Sequence, residues 1–380
     1  FPPDCRRLYD LGIIKAEGNI TSGDGHLAAD YGKILRLGLS DYLRRAEAME
    51  AALDLGNFED LKKSYFYEGV KIALNAVIHF SERFSRLALE MGEREGNPQR
   101  KAQLLELSRI AKKVPAAPAE SFHEAVQSLW LCHLALQIES NGHSVSYGRL
   151  DQYLYPYYQR DLAAGKITRE SASELLENLW LKTFTVNKVR SWSHTKFSAG
   201  SPLYQNVTVG GQLADGKSAV NPLSYLVLQS VARLRLPQPN LTVRYFKGLE
   251  PEFMAECVEV IRLGFGMPAF NSDEVIIAGF EKKGVLREDA VNYSAIGCVE
   301  VAVPGKWGYR CTGMSFINFP KALLIAMNDG IDPESGQRVW KGMGHFRDMK
   351  TFQEVFAAWD SIIREFARQA QVIDSCADLV

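Results

Sequence analysis

The stretch from Ser294 to Gly313 reads SAIGCVEVAVPGKWGYRCTG, and the interpretation of the whole chain starts from it. Its first half is apolar and β-branched, whereas its second half contains a proline and several glycines. This pattern predicts a short buried strand that continues into an irregular loop inside the protein.

Cys298 and Glu300 are the reactive side chains of this stretch. In an extended backbone, residues two apart point to the same side, about 6–7 Å from each other. We therefore expect both side chains to face one space, with Val299 turned away. The charge of Glu300 would raise the pKa of the thiol, whereas thiolate nucleophiles need cationic neighbours. The pair favours chemistry by a neutral sulfur and a separate base, although a C-x-E pattern alone also fits a buried structural cysteine.

The composition argues against several classes of protein. The 380 residues include 44 basic and 45 acidic side chains, and no basic block predicts binding to nucleic acid or to an anionic membrane. No apolar run reaches transmembrane length. The six cysteines form no C-x-x-C pair, so neither a zinc site nor a disulfide framework is indicated, and a reducing cytoplasm is the simplest location. Because both ends look cut, we expect a fragment of a longer protein.

Helical patterns predominate in the first half of the chain, and in the second half they alternate with strand patterns. Helical patterns cover 41–95, 100–112, 119–138 and 167–190, and the third of these is apolar almost all round. Its histidines, His123 and His133, are predicted to be packed or surface residues rather than ligands. Strands near 207, 241, 269 and 296 alternate with helices, which supports an α/β barrel with its helices outside.

Two segments resemble the glycyl radical enzymes, the superfamily of pyruvate formate-lyase and the diol dehydratases. GCVE with VPGKWGYRCTG is similar to the family's active-site loop, and residues 139–156, ESNGHSVSYGRLDQYLYP, are similar to a second family signature. The resemblance implies a ten-stranded β/α barrel in two antiparallel halves, surrounded by helices, with the cysteine loop at its centre.

The resemblance assigns residues 1–380 to one such barrel domain. Residues 1–138 would form a mainly helical outer part, 139–330 the active-site strands and loops, and 331–380 a helical end. The family's glycyl radical motif is missing from the sequence, and we interpret this as truncation.

The resemblance also implies roles for individual residues. Cys298 would become a thiyl radical that takes a hydrogen atom from the substrate, and Glu300 would be the general base. Arg149 and Asp151 would belong to an internal scaffold network. The residues that would contact the substrate are His26, His143, Ser144, Phe197, Ser198, Tyr204 and Thr312. The alternative is a surface residue for His26, a capped helix end with a polar turn for His143 and Ser144, and ordinary loop packing for Phe197, Ser198 and Tyr204.

Departures from the family pattern narrow the substrate. Pyruvate formate-lyase uses two adjacent cysteines, but Val299 follows Cys298, which disfavours acyl transfer. Residues 309–313 contain no carboxylate where the polyol and choline enzymes have one. VPGKWGYRCTGM most resembles the branch that dehydrates trans-4-hydroxy-L-proline to 1-pyrroline-5-carboxylate. Glycerol or propanediol dehydration, arylacetate decarboxylation and a catalytically dead scaffold are the alternatives.

The resemblance implies no bound cofactor or metal. It implies a glycyl radical on a residue outside this sequence, installed by a radical S-adenosylmethionine activating enzyme. The expected partners are a small-molecule substrate, that activating enzyme and a second copy of the chain, with no nucleic acid or membrane. The expected location is the cytoplasm of an anaerobic bacterium.

Overall fold

The structure is a computed structural model that describes residues 2–15, 25–140, 144–189, 192, 195, 203–298, 300–308 and 315–378, with the backbone alone for 377 and 378. The chain divides into two compact units. The larger unit contains residues 25–188 and 202–310, and the smaller contains 1–24, 189–201 and 311–380. The assignment of the chain to one domain stays a prediction.

The main elements of the described residues are helices and short strands. The α-helices are α1 (Pro3–Asp10), α2 (Tyr31–Leu37), α3 (Leu39–Ala51), α4 (Phe58–Arg94), α5 (Pro98–Lys113), α6 (Phe122–Glu139), α7 (Leu150–Tyr153), α8 (Tyr155–Ala163), α9 (Arg169–Thr185), α10 (Pro222–Leu234), α11 (Pro251–Arg262), α12 (Asp273–Lys282), α13 (Arg287–Ala290), α14 (Phe319–Met327) and α15 (Phe352–Asp378). The strands are β1 (Ile14–Lys15), β2 (Leu27–Ala28), β3 (Val145–Ser146), β4 (Asn206–Gly210), β5 (Asn240–Tyr245), β6 (Ala269–Ser272), β7 (Ser294–Ile296), β8 (Glu300–Ala302) and β9 (Phe316–Ile317).

Parallel strands form the centre of the larger unit. β4 pairs with β5, which places Val207 opposite Leu241, and β5 pairs with β6, which places Val243 opposite Phe270. The crossovers contain α10 and α11, because parallel neighbours need a long connection. β2 and β3 form a second parallel pair, and a bridge from Gly148 to Val207 continues from β3 to β4. The predicted alternation of strands and helices is confirmed here.

The core of the larger unit lies between this sheet and its helices. Every residue of β4 is buried, as is typical of a parallel strand covered on both faces. Side chains from α6, α9, α10 and the sheet pack together, among them Leu129, Trp180, Leu228, Val209 and Val243. The apolar helix predicted at 119–138 is therefore a core helix, and His133 on it is fully buried.

The helical pattern predicted over 41–95 is two helices, not one. α3 ends at Ala51 and α4 begins at Phe58. The Asn57 side chain caps α4 by accepting hydrogen bonds from the backbone N–H groups of Glu59 and Asp60. Asparagine is a strong N-cap, so the chain restarts its helix there.

The strand predicted to run through Cys298 is a hairpin. β7 and β8 pair antiparallel, with Ile296 opposite Glu300. Gly297 and Cys298 lie at the turn, and Gly297 has a φ of +60°. The prediction of an extended backbone at this point was wrong, because the hydrophobic pattern does not reveal that the glycine reverses the chain.

The smaller unit has its own sheet and core. β1 and β9 pair antiparallel, with Ile14 opposite Ile317. Its core includes Ile325 of α14 and both Ile362 and Phe366 of α15. Across the described ranges of both units, no helix is long and apolar enough to span a bilayer.

Candidate active site

Three predicted substrate-contacting residues lie at the amino ends of neighbouring parallel strands. His26 directly precedes β2, Ser144 directly precedes β3, and Tyr204 lies two residues before β4. The Leu27 N–H donates to the Ser144 carbonyl at 3.2 Å, and the Ser144 N–H donates to the Leu203 carbonyl at 2.7 Å. The strand order therefore gathers at one edge residues that are distant in sequence.

All three of these residues have a left-handed backbone. The φ angles are 54° for His26, 65° for Ser144 and 51° for Tyr204. A side chain with a Cβ is strained in this region, and such strain is concentrated at active sites and ligand clamps. Together the three conformations mark this edge of the sheet as a candidate site.

The hairpin turn adds Cys298 to this edge. Cys298 is exposed, and its sulfur forms a hydrogen bond with the hydroxyl of Tyr204. Partial burial of the sulfur and then the charge of Glu300 raise the pKa of the Cys298 thiol, while the hydrogen bond from Tyr204 opposes them. The sulfur is therefore a neutral thiol near pH 7, as the sequence predicted for a cysteine beside a carboxylate.

Glu300 interacts with His26 as well as with this thiol. Its Oε1 atom is 3.6 Å from Nε2 of His26, whose side chain is 4% exposed against 25% for Glu300. Burial lowers the pKa of His26, although the charge of Glu300 acts in the opposite direction. The imidazole is therefore neutral near pH 7 and can donate or accept a hydrogen bond without bringing a charge.

Gly297 has no room for a side chain. A Cβ atom there would lie 2.2 Å from Oε2 of Glu300 and 2.7 Å from Cδ2 of His26. Its left-handed φ adds a second reason for glycine. The backbone at the turn thus touches the carboxylate and the imidazole directly.

Asn206 is a site residue that the sequence interpretation missed. Its side-chain amide donates to the Gly297 carbonyl at 2.6 Å and to the Tyr204 carbonyl at 3.3 Å. The sequence showed only a strand residue behind the predicted specificity loop. The available signal was a polar pair, Gln205-Asn206, at the start of a β-rich run.

Ser144 presents a buried polar atom to the same edge. Its Oγ atom is fully buried, and among the described residues no group donates a hydrogen bond to it or accepts one from it. An unsatisfied buried hydroxyl costs about 1–3 kcal/mol, so it suits a site that a ligand completes.

The other predicted substrate contacts have no described position. His143, Phe197, Ser198 and Thr312 lie outside the described residues and stay predictions. Within the described ranges, no group of His, Cys, Asp or Glu side chains is arranged to hold a metal ion.

The predicted Arg149–Asp151 network is indirect. Arg149 donates to the carbonyls of Val291 and Gly210, each at 3.1 Å, and Asp151 accepts from the Gly210 N–H at 2.9 Å. The two side chains thus meet on the backbone of Gly210 instead of pairing with each other, because each finds a buried peptide group to satisfy.

A buried ion pair, Arg244 with Asp273, supports the hairpin. Both side chains are 0% exposed and their closest N–O distance is 2.7 Å. Arg244 also donates to the carbonyls of Val291 at 2.9 Å and Tyr293 at 3.0 Å, just before β7. The pair therefore fixes the base of the hairpin whose turn carries Cys298.

Comparison with known proteins matches the chain to one family and to curated relatives. The family model described as pyruvate formate lyase-like matches residues 1–379. A probable dehydratase of Escherichia coli strain K12, YbiW, is 48% identical over 387 residues, which cover 100% of this chain and 47% of that protein. The chain thus spans about half the length of the curated relatives it matches.

Solved structures match over 98% or more of this chain. The glycerol-bound form of the B12-independent glycerol dehydratase from Clostridium butyricum is 35% identical, with a TM-score of 0.93. The match covers 100% of this chain and 48% of the dehydratase chain. Hydroxyproline dehydratase from Clostridioides difficile, solved with trans-4-hydroxy-L-proline bound, is 30% identical with a TM-score of 0.87, and covers 98% and 48%. These neighbours confirm the predicted fold class, the barrel of pyruvate formate-lyase.

Proposed function

Because the chain belongs to the pyruvate formate lyase-like family of glycyl radical enzymes, we propose that the full-length protein is a radical dehydratase. In this proposal Cys298 exchanges a hydrogen atom with the substrate and Glu300 exchanges a proton. The single observation that carries it is the position of the neutral Cys298 thiol beside the Glu300 carboxylate, at an edge that also holds His26, Ser144 and Tyr204.

The neutral thiol suits hydrogen-atom transfer better than nucleophilic attack. A nucleophilic cysteine needs a lowered pKa, whereas partial burial and the nearby carboxylate raise the pKa of Cys298. The family's stored glycyl radical supplies the oxidising equivalent that removes the thiol hydrogen. We propose that a radical S-adenosylmethionine enzyme installs that radical, as the sequence resemblance implies.

The proposed reaction balances in hydrogen atoms and protons. The Cys298 sulfur forms an S–H bond with a hydrogen from a substrate C–H bond, which leaves a carbon radical. Glu300 takes a proton from the amine or hydroxyl group on that carbon, and the hydroxyl on the adjacent carbon leaves as water with a proton returned by Glu300. The product radical then takes the hydrogen atom back from Cys298, so the net change is the loss of one water.

His26 and Ser144 would orient the substrate for this transfer. The neutral His26 imidazole contacts Glu300, and the Ser144 hydroxyl, which has no hydrogen-bond partner among the described residues, is buried at the same strand edge. Both can hydrogen-bond a substrate hydroxyl without adding charge. Positioning of this kind is the main source of rate when the transferred group is a hydrogen atom.

The substrate is proposed from sequence and from relatives. The loop sequence VPGKWGYRCTGM favours trans-4-hydroxy-L-proline, and hydroxyproline dehydratase is among the matching structures. A small vicinal diol is the second candidate, because the glycerol dehydratase structure matches with the higher identity and TM-score.

The test uses the full-length protein, activated without oxygen by its radical S-adenosylmethionine partner. Trans-4-hydroxy-L-proline, glycerol, 1,2-propanediol and hydroxyphenylacetate are incubated separately and the products are identified by mass. We expect loss of water from one hydroxylated substrate. Turnover of glycerol but not of hydroxyproline would move the assignment to the diol dehydratases.

Two cysteine variants separate an enzyme from an inactive scaffold. Cys298→Ala removes an exposed turn residue, so we expect a normal thermal midpoint and complete loss of turnover. Cys376→Ala, on α15, is the matched control and should keep full activity. Equal turnover in the wild type and Cys298→Ala would refute the proposed role of this sulfur.

A further inference from the structure

We propose that Asn206 is a positioning residue, which holds the Cys298 turn and Tyr204 in the arrangement that hydrogen transfer requires. This inference rests on the function proposed above for Cys298. It concerns a side chain that bears no charge and contacts two backbone carbonyls rather than the reacting atoms.

The Asn206 amide bonds the backbone on both sides of the contact between Tyr204 and Cys298. It donates to the Gly297 carbonyl at 2.6 Å, and Gly297 directly precedes Cys298. It also donates to the Tyr204 carbonyl at 3.3 Å, and the Tyr204 hydroxyl bonds the Cys298 sulfur. One side chain thus sets the separation between the sulfur and its hydrogen-bond partner.

Asn206 is itself held firmly in the sheet. It is 3% exposed and lies in β4, opposite Asn240 in the register. Its N–H donates to Ser146 Oγ at 3.0 Å, and its carbonyl accepts from the Tyr147 N–H at 2.8 Å. The amide therefore transmits the position of the rigid parallel sheet to the turn.

The turn needs such an anchor. Gly297 has a left-handed φ and no side chain. Because it has no side chain to pack against its surroundings, another group must fix the peptide that leads into Cys298. A displacement of about 1 Å at a reacting group can cost about 100-fold in rate. Asn206 is the described side chain that bonds the carbonyl of this peptide.

The first test needs no turnover. In the unactivated full-length protein, alkylation of the exposed Cys298 by iodoacetamide is followed against pH by peptide mass. Among the described residues, the titrating groups that face this sulfur are Tyr204 and Glu300, with His26 beside Glu300. Tyr204→Phe removes a bond that favours the thiolate, so its alkylation midpoint should move to higher pH.

Asn206→Ala and the milder Asn206→Ser should move the midpoint in the same direction as Tyr204→Phe. The double variant of Asn206 and Tyr204 should show no additional shift, because both changes break one contact. Asn240→Ala, the register partner in the next strand, is the matched control and should behave as the wild type. Thermal midpoints show whether each variant is folded.

An unchanged midpoint in folded Asn206 variants, or an additive shift in the double variant, would overturn the inference. If neither Asn206 variant folds, Ser146→Ala replaces them. Ser146 accepts from the Asn206 N–H at 3.0 Å and donates to the Tyr204 carbonyl at 3.4 Å, so its loss should raise the midpoint as well. No shift in that variant would count equally against the proposal.

Turnover provides the second test once the wild-type activity is known. We expect kcat of Asn206→Ala to fall about 100-fold while KM changes less than about threefold, because the variant leaves His26 and Ser144 in place. A fall in thermal midpoint with kcat and KM unchanged would show a merely structural role. If the wild type turns over no substrate, the proposed function fails, whereas the alkylation result still decides the role of Asn206.

Discussion

The Nε2 atom of His26 lies 3.6 Å from Oε1 of Glu300, although the two residues are at opposite ends of the larger unit's sequence. Burial keeps this imidazole neutral near pH 7, so it does not neutralise the carboxylate beside it. Glu300 therefore has an uncharged imidazole and an uncharged thiol as neighbours. We expect the carboxylate to affect both the proposed turnover and the titration of the thiol.

Glu300→Gln should change both the turnover and the titration of the Cys298 thiol. Without the proton acceptor, we expect turnover of the activated enzyme to fall by about 10²–10⁴. Because the Glu300 charge raises the pKa of the Cys298 thiol, its removal should move the alkylation midpoint to lower pH. This direction is opposite to the one expected for Tyr204→Phe. Glu259→Gln, on the exposed face of α11, is the control and should change neither quantity.

Gly297→Ala should cost more than a backbone penalty. A non-glycine residue at a left-handed position costs roughly 1–2 kcal/mol. At Gly297 the new Cβ would also lie 2.2 Å from Glu300 Oε2, so the carboxylate must move. We expect a lower free energy of unfolding by denaturant and loss of turnover.

Gly165→Ala isolates the backbone part of that effect. Gly165 has a φ of +65°, close to the +60° of Gly297, and a Cβ there meets no atom within 4 Å. The variant should lose about 1–2 kcal/mol and keep its turnover. Equal losses of stability and activity at both glycines would show that the space at Gly297 is unimportant.

The sequence predicted the chemistry of this site better than its geometry. The local pattern of Cys298 and Glu300 predicted a neutral thiol beside a carboxylate, whereas the family resemblance was needed to identify these two residues, His26 and Tyr204 as candidate site residues. The extended backbone through Cys298 was wrong, because apolar periodicity does not show where a glycine adopts a positive φ. The strand and helix alternation, which depends on periodicity, was confirmed.

Residues that act through distant backbone groups could not be predicted. Asn206 bonds a carbonyl 91 residues away, and nothing near it in the sequence specifies that partner. The same holds for Arg244 and Asp273, which are 29 residues apart and look like ordinary surface charges until the sheet buries them. Their roles depend on strand order and register, which a single sequence does not specify.

Arg244→Met should be strongly destabilising. The change leaves the Asp273 carboxylate buried without its cation, which typically costs about 3–5 kcal/mol. It also removes two donors from the carbonyls before β7, so we expect lower turnover as the hairpin base shifts. The measurement is the free energy of unfolding by denaturant in the full-length protein.

Arg262→Met is the matched control for that substitution. Arg262 pairs with Glu259 at 2.8 Å, but both side chains are mostly exposed, and such pairs contribute little. Its denaturation midpoint should stay near that of the wild type. A similar small change in Arg244→Met would mean that the buried pair adds no stability beyond that of a surface pair.

His133 should make the stability of the protein depend on pH. It is fully buried, stacks on Tyr147 with ring centroids 4.1 Å apart, and bonds the hydroxyl of Tyr31 and the side chain of Gln205. Burial lowers the pKa of His133 to about 4, although the bond to Gln205 acts against this. The folded chain therefore keeps this imidazole neutral in mild acid.

The sign of the effect follows from proton binding. In the unfolded chain the pKa of a histidine is about 6.5, so below this pH the unfolded state binds a proton that the folded state refuses. Stability must therefore fall as the pH drops from about 6.5 towards 4, by roughly 3 kcal/mol for His133 over that whole range. Burial also lowers the pKa of His26 and His123, which adds to the slope in the same direction.

His133→Gln should flatten this dependence. Glutamine carries no proton-binding group, so the free energy of unfolding should fall less steeply between about pH 6.5 and 5 than in the wild type, even if the variant is less stable at every pH. His79→Gln, which removes an exposed histidine of α4, should keep the wild-type slope. An identical slope in His133→Gln would show that the buried imidazole takes up its proton as readily in the folded chain as in the unfolded chain, and the polar network around it would then have to accommodate a charge.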